Sequence, residues 1–164
     1  MLVYKNLLSV IICLSIHQTK KSPDARKDKI MSILKDVFSA IEKMQTKLGK
    51  TQEDLQSIAQ QMYSAYNDLP GDIDPAEDML IFSIREYYRY MLTEKQRLQS
   101  NLDFARDLAR RLIDRIEDDT ISMGFQLHVV DNLPWRAVAE CMGVYDIRQR
   151  CEDYLSNDEE DFLF

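Results

Sequence analysis

Leu133-Pro134-Trp135-Arg136-Ala137-Val138-Ala139-Glu140-Cys141-Met142-Gly143 reads as one helix and the turn that closes it. Pro134 suits a helix start, because its missing N–H would have no intrahelical partner there. Trp135, Val138 and Met142 stand at i, i+3 and i+7 and share one face, with Arg136 and Glu140 on the other side. Ala139 is small enough for a second helix to cross closely. Gly143 can take the left-handed conformation that ends a helix. The pattern predicts the first helix and turn of a helix-turn-helix, an element whose second helix commonly enters a DNA major groove.

The flanks extend this reading. Asp119-Thr120 predicts the start of a preceding helix with Asp119 as its cap. Ile121, Phe125 and Val129, with Leu127, form its apolar side. Val130-Asp131-Asn132 ends it, and Asn is one of the few non-glycine residues that tolerate a left-handed cap. Beyond Gly143, Val144-Tyr145-Asp146 makes a short turn. Ile147, Cys151, Tyr154 and Leu155 then carry the apolar side of a last helix.

This order resembles the fourth conserved region of bacterial sigma factors. It more closely resembles the small sigma-like regulators of phages and prophages, the ArpU-type late transcription regulators among them. The resemblance covers residues 113–155 and rests on Ile116–Asp119, Leu127–Trp135, Val138-Ala139 and Met142-Gly143. It implies a transcriptional regulator that binds double-stranded DNA, with RNA polymerase as an accompanying partner. By role, Tyr145, Arg148, Gln149 and Arg150 would face the groove, and Arg136, with Arg111 and Arg115, would contact phosphate. The chain departs from the family at His128, at Asn132 and at Gln149, which occupies the usual core position of the last helix. The apolar residues of that helix come early, which predicts a shortened turn and a tilted recognition helix.

Charge pulls the other way. The chain has 21 Lys and Arg against 28 Asp and Glu, a net charge of −7. DNA-binding domains draw much of their affinity from neutralising phosphates, so an acidic chain predicts a weak or dimeric binder, and the resemblance to sigma factors implies one assisted by polymerase. The competing expectation is an acidic, non-catalytic interaction or inhibitor protein, with a degenerate helix-turn-helix capping a helical bundle. The acidic tail, residues 156–164, is either a solvated surface or a segment that folds back or binds a partner.

The rest of the chain predicts long helices. With four Gly and four Pro in 164 residues and 45% hydrophobic content, turn residues are too scarce for an all-β fold. Ser22-Pro23 predicts a helix start, followed by Ile30, Leu34, Val37, Ile41, Met44 and Leu48 at helical spacing. Gly49 is expected to interrupt this helix. Thr51-Gln52-Glu53-Asp54 is expected to restart it as a loose capping box, with Leu55, Ala59, Met62 and Tyr66 continuing the face. Leu69-Pro70-Gly71 breaks the chain, and Asp74-Pro75-Ala76-Glu77 opens the next helix, expected to run to about Asp118. Its stripe from Ile81 and Ile84 through Tyr88, Met91, Leu98 and Leu102 to Ile116 keeps alternating spacings of three and four, interrupted only by Lys95. That is a coiled-coil-like seam. Its partner is either the first helix folded back or a second copy in a homodimer. Tyr87, Tyr88 and Tyr90 are expected to pack in the core and seam.

The fold expected is therefore all-α: a long antiparallel helical hairpin over residues 22–118, broken at 69–74, then a three-helix helix-turn-helix over 119–155. Within residues 1–21, Leu7–Ile16 is a ten-residue apolar stretch that resembles the start of a signal peptide without its cleavage site and is too short to span a bilayer; the other expectations are a segment packed on the bundle or an extension upstream of the true start. Catalysis is not expected. The three cysteines form no Cys-x-x-Cys pair, the two histidines lie in unrelated contexts, and no phosphate-cradling glycine loop occurs. No cofactor, metal or small-molecule substrate is implied, and the cysteine usage suits the cytoplasm. Cys141 and Cys151 are expected to be small buried hydrophobes.

Overall fold

The computed structural model describes residues 23–71, 74 and 78–156, with side chains from Ile30 onward. The apolar stretch at 1–21, the Ser22 cap, Cys13, His17 and the acidic tail beyond Ser156 lie outside the described residues. The described residues form helices and no strand: α1 (Pro23–Asn67), α2 (Met79–Ile113), α3 (Asp119–Phe125), a π-helical stretch (Gln126–Val130), α4 (Trp135–Met142) and α5 (Ile147–Ser156). None of them is long and apolar enough to cross a membrane. The described residues divide into two compact units, one within residues 40–107 and one formed by those described within 1–39 and 108–164.

The first unit is an antiparallel hairpin. Leu55, Ile58 and Met91 form its buried cluster, with Ile84 and Tyr88 packed against it. Lys47 Nζ lies 3.3 Å from Glu94 Oε1, and Arg85 Nη2 donates to Tyr66 Oη at 2.6 Å. Partners thus rise along α1 as they fall along α2. The seam read from α2 is used inside the chain: Ile81, Met91, Leu98 and Leu102 are buried, and Ile84, Tyr88 and Lys95 are half-buried. Of the three tyrosines expected to pack, Tyr88 does. Tyr87 and Tyr90 instead stack on each other in solvent, with ring centroids 6.4 Å apart. Their positions fall outside the apolar stripe, so no facing helix reaches them.

Expected helix boundaries differ in both long helices. α1 runs unbroken for 45 residues through Gly49 and Thr51. Thr51 is no cap: its hydroxyl donates to the Lys47 carbonyl at 2.9 Å, one turn back, which satisfies it while it is buried. Gly49 has open space around its Cα, and its cost to the helix is about 1 kcal/mol relative to Ala, too little to stop a packed helix. For α2, the described helix begins at Met79, where Asp78 Oδ1 accepts from the N–H groups of Leu80 and Ile81, both at 2.9 Å. Residues 75–77 lie outside the described set. α2 also ends earlier than expected, at Ile113, followed by a turn over Asp114 and Arg115.

In the second unit α5 packs on α3 and α4. Phe125, Val138, Ile147 and Cys151 are almost completely buried there. The Phe125 ring lies 5.1 Å from Phe38 of α1 and 6.4 Å from Tyr154 of α5.

Candidate nucleic-acid interface

Local chemistry sets the order of turns. Asp118, rather than Asp119, caps α3: its Oδ1 accepts from Thr120 N at 2.8 Å and from Ile121 N at 3.1 Å. Asp119 is instead the first helical residue, where its negative charge suits the helix dipole. After Phe125 the helix widens, and Asp131 N–H reaches the Gln126 carbonyl at 3.1 Å. This π-helical stretch turns two adjacent side chains, Val129 and Val130, into the core. Asn132 adopts the expected left-handed conformation, φ 60°.

Leu133 N–H then closes onto the Leu127 carbonyl at 3.0 Å, and His128 Nδ1 lies 2.7 Å from the Leu133 carbonyl oxygen. A carbonyl can only accept, so the proton in that bond sits on Nδ1. The same imidazole stacks on Trp135 at 3.9 Å between centroids. His128 therefore ties the end of the π-helical stretch to the start of α4. The sequence pattern marked His128 only as a departure from the sigma-like family.

α4 closes as expected. Gly143 is left-handed, φ 67° and ψ 20°, and its N–H returns to the Ala139 carbonyl. A Val144-Tyr145-Asp146 turn leads into α5. A close approach between helices occurs at Gly124, for which the sequence pattern gave no expectation. A Cβ there would lie 2.9 Å from Ile147 Cγ1 and 3.0 Å from Cys151 Sγ. The signal was available, as a lone glycine inside an apolar helix commonly has a packing reason.

The buried side of α5 is Ile147 and Cys151, with Tyr154 and Leu155 half-buried. Arg148, Gln149 and Arg150 are exposed. At about 100° per residue, Arg148 and Arg150 flank Gln149 on opposite edges of the outer face. Trp135, Arg136, Ala139, Glu140, Tyr145 and Arg148 border a shallow surface depression of about 370 Å³, floored by Ile147. Three of the predicted site residues, Arg136, Tyr145 and Arg148, thus meet around one feature. Gln149 and Arg150 lie outside it. Tyr145 is 89% exposed, the most exposed large hydrophobic side chain among the described residues.

The three arginines and Gln149 are each tied to an acidic residue on their own helix or turn. Arg136 Nε lies 3.0 Å from Glu140, Arg148 Nε 2.7 Å from Glu152, and Arg150 Nε 2.9 Å from Asp146. Gln149 Nε2 donates to Asp153 at 2.7 Å. The Arg150 guanidinium holds the Asp146 carboxyl below its ordinary range, and Asp146, with a smaller contribution from Asp118, raises Arg150. The site is therefore a lattice of matched charges rather than a basic patch. Exposed pairs of this kind stabilise weakly, so each arginine can exchange its carboxylate for another anion at low cost.

The cysteines separate. Cys151 is fully buried as expected, whereas Cys141 lies on the exposed side of α4. Burial pushes the Cys151 thiol up to about 12, and the carboxylates of Asp118 and Glu152 add to the effect. A raised folded-state value means stability is retained below the ordinary thiol range, about 8.5, and lost as pH rises towards 12. Maleimide at neutral pH is expected to label Cys141 and spare Cys151, read by peptide mass spectrometry. The loss of stability in alkali should shrink in Cys151→Ala. Labelling of Cys151 in the folded chain would contradict its burial.

Among the described residues no cluster of His, Cys, Asp or Glu could hold a metal ion. No protein-family profile matches the chain, and neither a curated protein nor a solved structure matches it.

Proposed function

We propose that the chain is a DNA-binding transcriptional regulator of the sigma-like phage or prophage type, acting in the cytoplasm without a catalytic step. In this reading α4, the Gly143 turn and α5 form a helix-turn-helix. The observation that carries it is the sidedness of α5. Ile147 and Cys151 anchor it against the core, Arg148 meets Tyr145 and Arg136 around the depression, and Gln149 and Arg150 are exposed outside it. Arg and Gln are suited to bidentate contacts with guanine and adenine edges. Because each arginine already has a carboxylate partner, binding exchanges one anion for another and adds little net attraction. Low autonomous affinity follows, as does a benefit from RNA polymerase holding the module at a promoter.

The test is selection from a randomised DNA duplex pool at low salt, followed by fluorescence anisotropy on the enriched sequence. Arg148→Ala combined with Arg150→Ala is expected to abolish sequence-selective binding while circular dichroism stays unchanged. Intact binding by this variant would reject the assignment of α5 as the reading helix.

A second reading is favoured by the same matched charges: a non-catalytic interaction protein whose α4–α5 surface docks on a partner protein. No enrichment from the duplex pool, with and without polymerase, would move the proposal there.

A further inference from the structure

α2 carries a second heptad, on a side separate from its buried seam. From Met79 to Phe104 a run alternates spacings of four and three, and every position in it is exposed. Its chemistry is palindromic. Read inward from the two ends, Met79 matches Phe104, Ser83 matches Ser100, Glu86 matches Arg97 and Tyr90 matches Thr93. A two-fold axis between Tyr90 and Thr93 would place all four pairs in register at once, the condition for an isologous interface. The apolar members are exposed: Met79 is 76% exposed and Phe104 49% at the two ends, and Tyr90, stacked on Tyr87, is 63% exposed beside the axis. Phe82 and Tyr87 widen the patch beside them.

We propose that a second copy of the chain docks antiparallel along this face of α2, forming a homodimer. Charge selects both the occupant and its direction. An antiparallel partner sets Glu86 against Arg97 twice, whereas a parallel one would set Glu86 against Glu86 and Arg97 against Arg97. Both side chains are about half exposed and, among the described residues, are ion-paired with neighbours on their own helix, Glu86 with Arg89 and Arg97 with Glu94. Ser83 and Ser100 are small enough to let the helices approach closely between the charged and apolar layers. The run is about 38 Å long at 1.5 Å per residue, comparable with a short coiled coil. This interface leaves the seam between α2 and α1 intact, so dimerisation needs no opening of the hairpin.

Sedimentation velocity of the full chain over a range of concentrations tests this. A reversible monomer–dimer equilibrium is expected. Glu86→Lys alone and Arg97→Glu alone should each weaken it about tenfold or more, because each reversal acts twice across the axis. The doubly reversed variant should recover most of the wild-type affinity. A wild-type chain that stays monomeric at every concentration overturns the proposal. So do single reversals without effect, the result a parallel dimer would give, or a double variant no stronger than the singles. Circular dichroism monitors folding, and Glu86→Gln and Arg97→Gln replace any reversal that lowers helicity.

Discussion

Gly124→Val is expected to cost about 3 kcal/mol or more and to lower the melting temperature by roughly 6–12 °C. The argument is geometric. Even a single methyl at this position would sit 2.9 Å from Ile147 Cγ1 and 3.0 Å from both Ile147 Cδ1 and Cys151 Sγ. Ile147 and Cys151 are themselves fully buried, so neither has solvent to move into. An alanine would recover about 1 kcal/mol of helix propensity against this clash, which makes Gly124→Ala the milder variant. The branched valine adds two further carbons in the same direction and pushes α5 off α3. Met123→Val, on the exposed side of the same helix, serves as the control and should be close to neutral. A Gly124→Val protein as stable as its parent in urea melts would show that α5 does not rest on this glycine.

Phe125→Ala is expected to be at least as damaging, at about 3–5 kcal/mol. The side chain is 2% exposed and joins three segments distant in sequence, through Phe38 at 5.1 Å and Tyr154 at 6.4 Å. Truncation removes both tilted aromatic contacts and leaves a cavity that α3, pinned by its Asp118 cap and Gly124 approach, cannot close. Phe125→Leu retains much of the volume and should cost under about 1.5 kcal/mol. Equal losses for Ala and Leu, measured by urea denaturation, would show that ring geometry rather than filled volume holds this part of the fold.

The helical class and the hairpin were legible because their signals are periodic and redundant. The stripe from Ile81 to Leu102 survives the single interruption at Lys95, and its members are buried or half-buried. Gly143 and Asn132 were legible for a different reason: left-handed backbone is accessible to few residue types, and both positions adopt it. The misreadings lie where one local signal met a larger packing term. Gly49 and Thr51 look like a helix break, but continuous burial from Leu34 to Ile58 on either side outweighs a weak propensity. The π-helical stretch has no compositional mark, since it arises from fitting Val129 and Val130 into one core. Cys141 was misplaced because a small apolar residue is tolerated on either side of a short helix. Within the candidate interface, residue types and exposure could be anticipated from spacing. The acid partner of each arginine follows from i, i+4 placement, which the helix register makes explicit.

Trp135 is the only tryptophan in the chain, and it lies at the rim of the depression beside Arg136 and Tyr145. Its indole stacks on the imidazole of His128. The protein is thus self-reporting at the surface where its partner is sought. An intrinsic emission signal, free of the rest of the fold, should shift when anything settles over α4 and α5. Titrations at that surface can then be followed by light alone, without a dye, a tag or an altered residue.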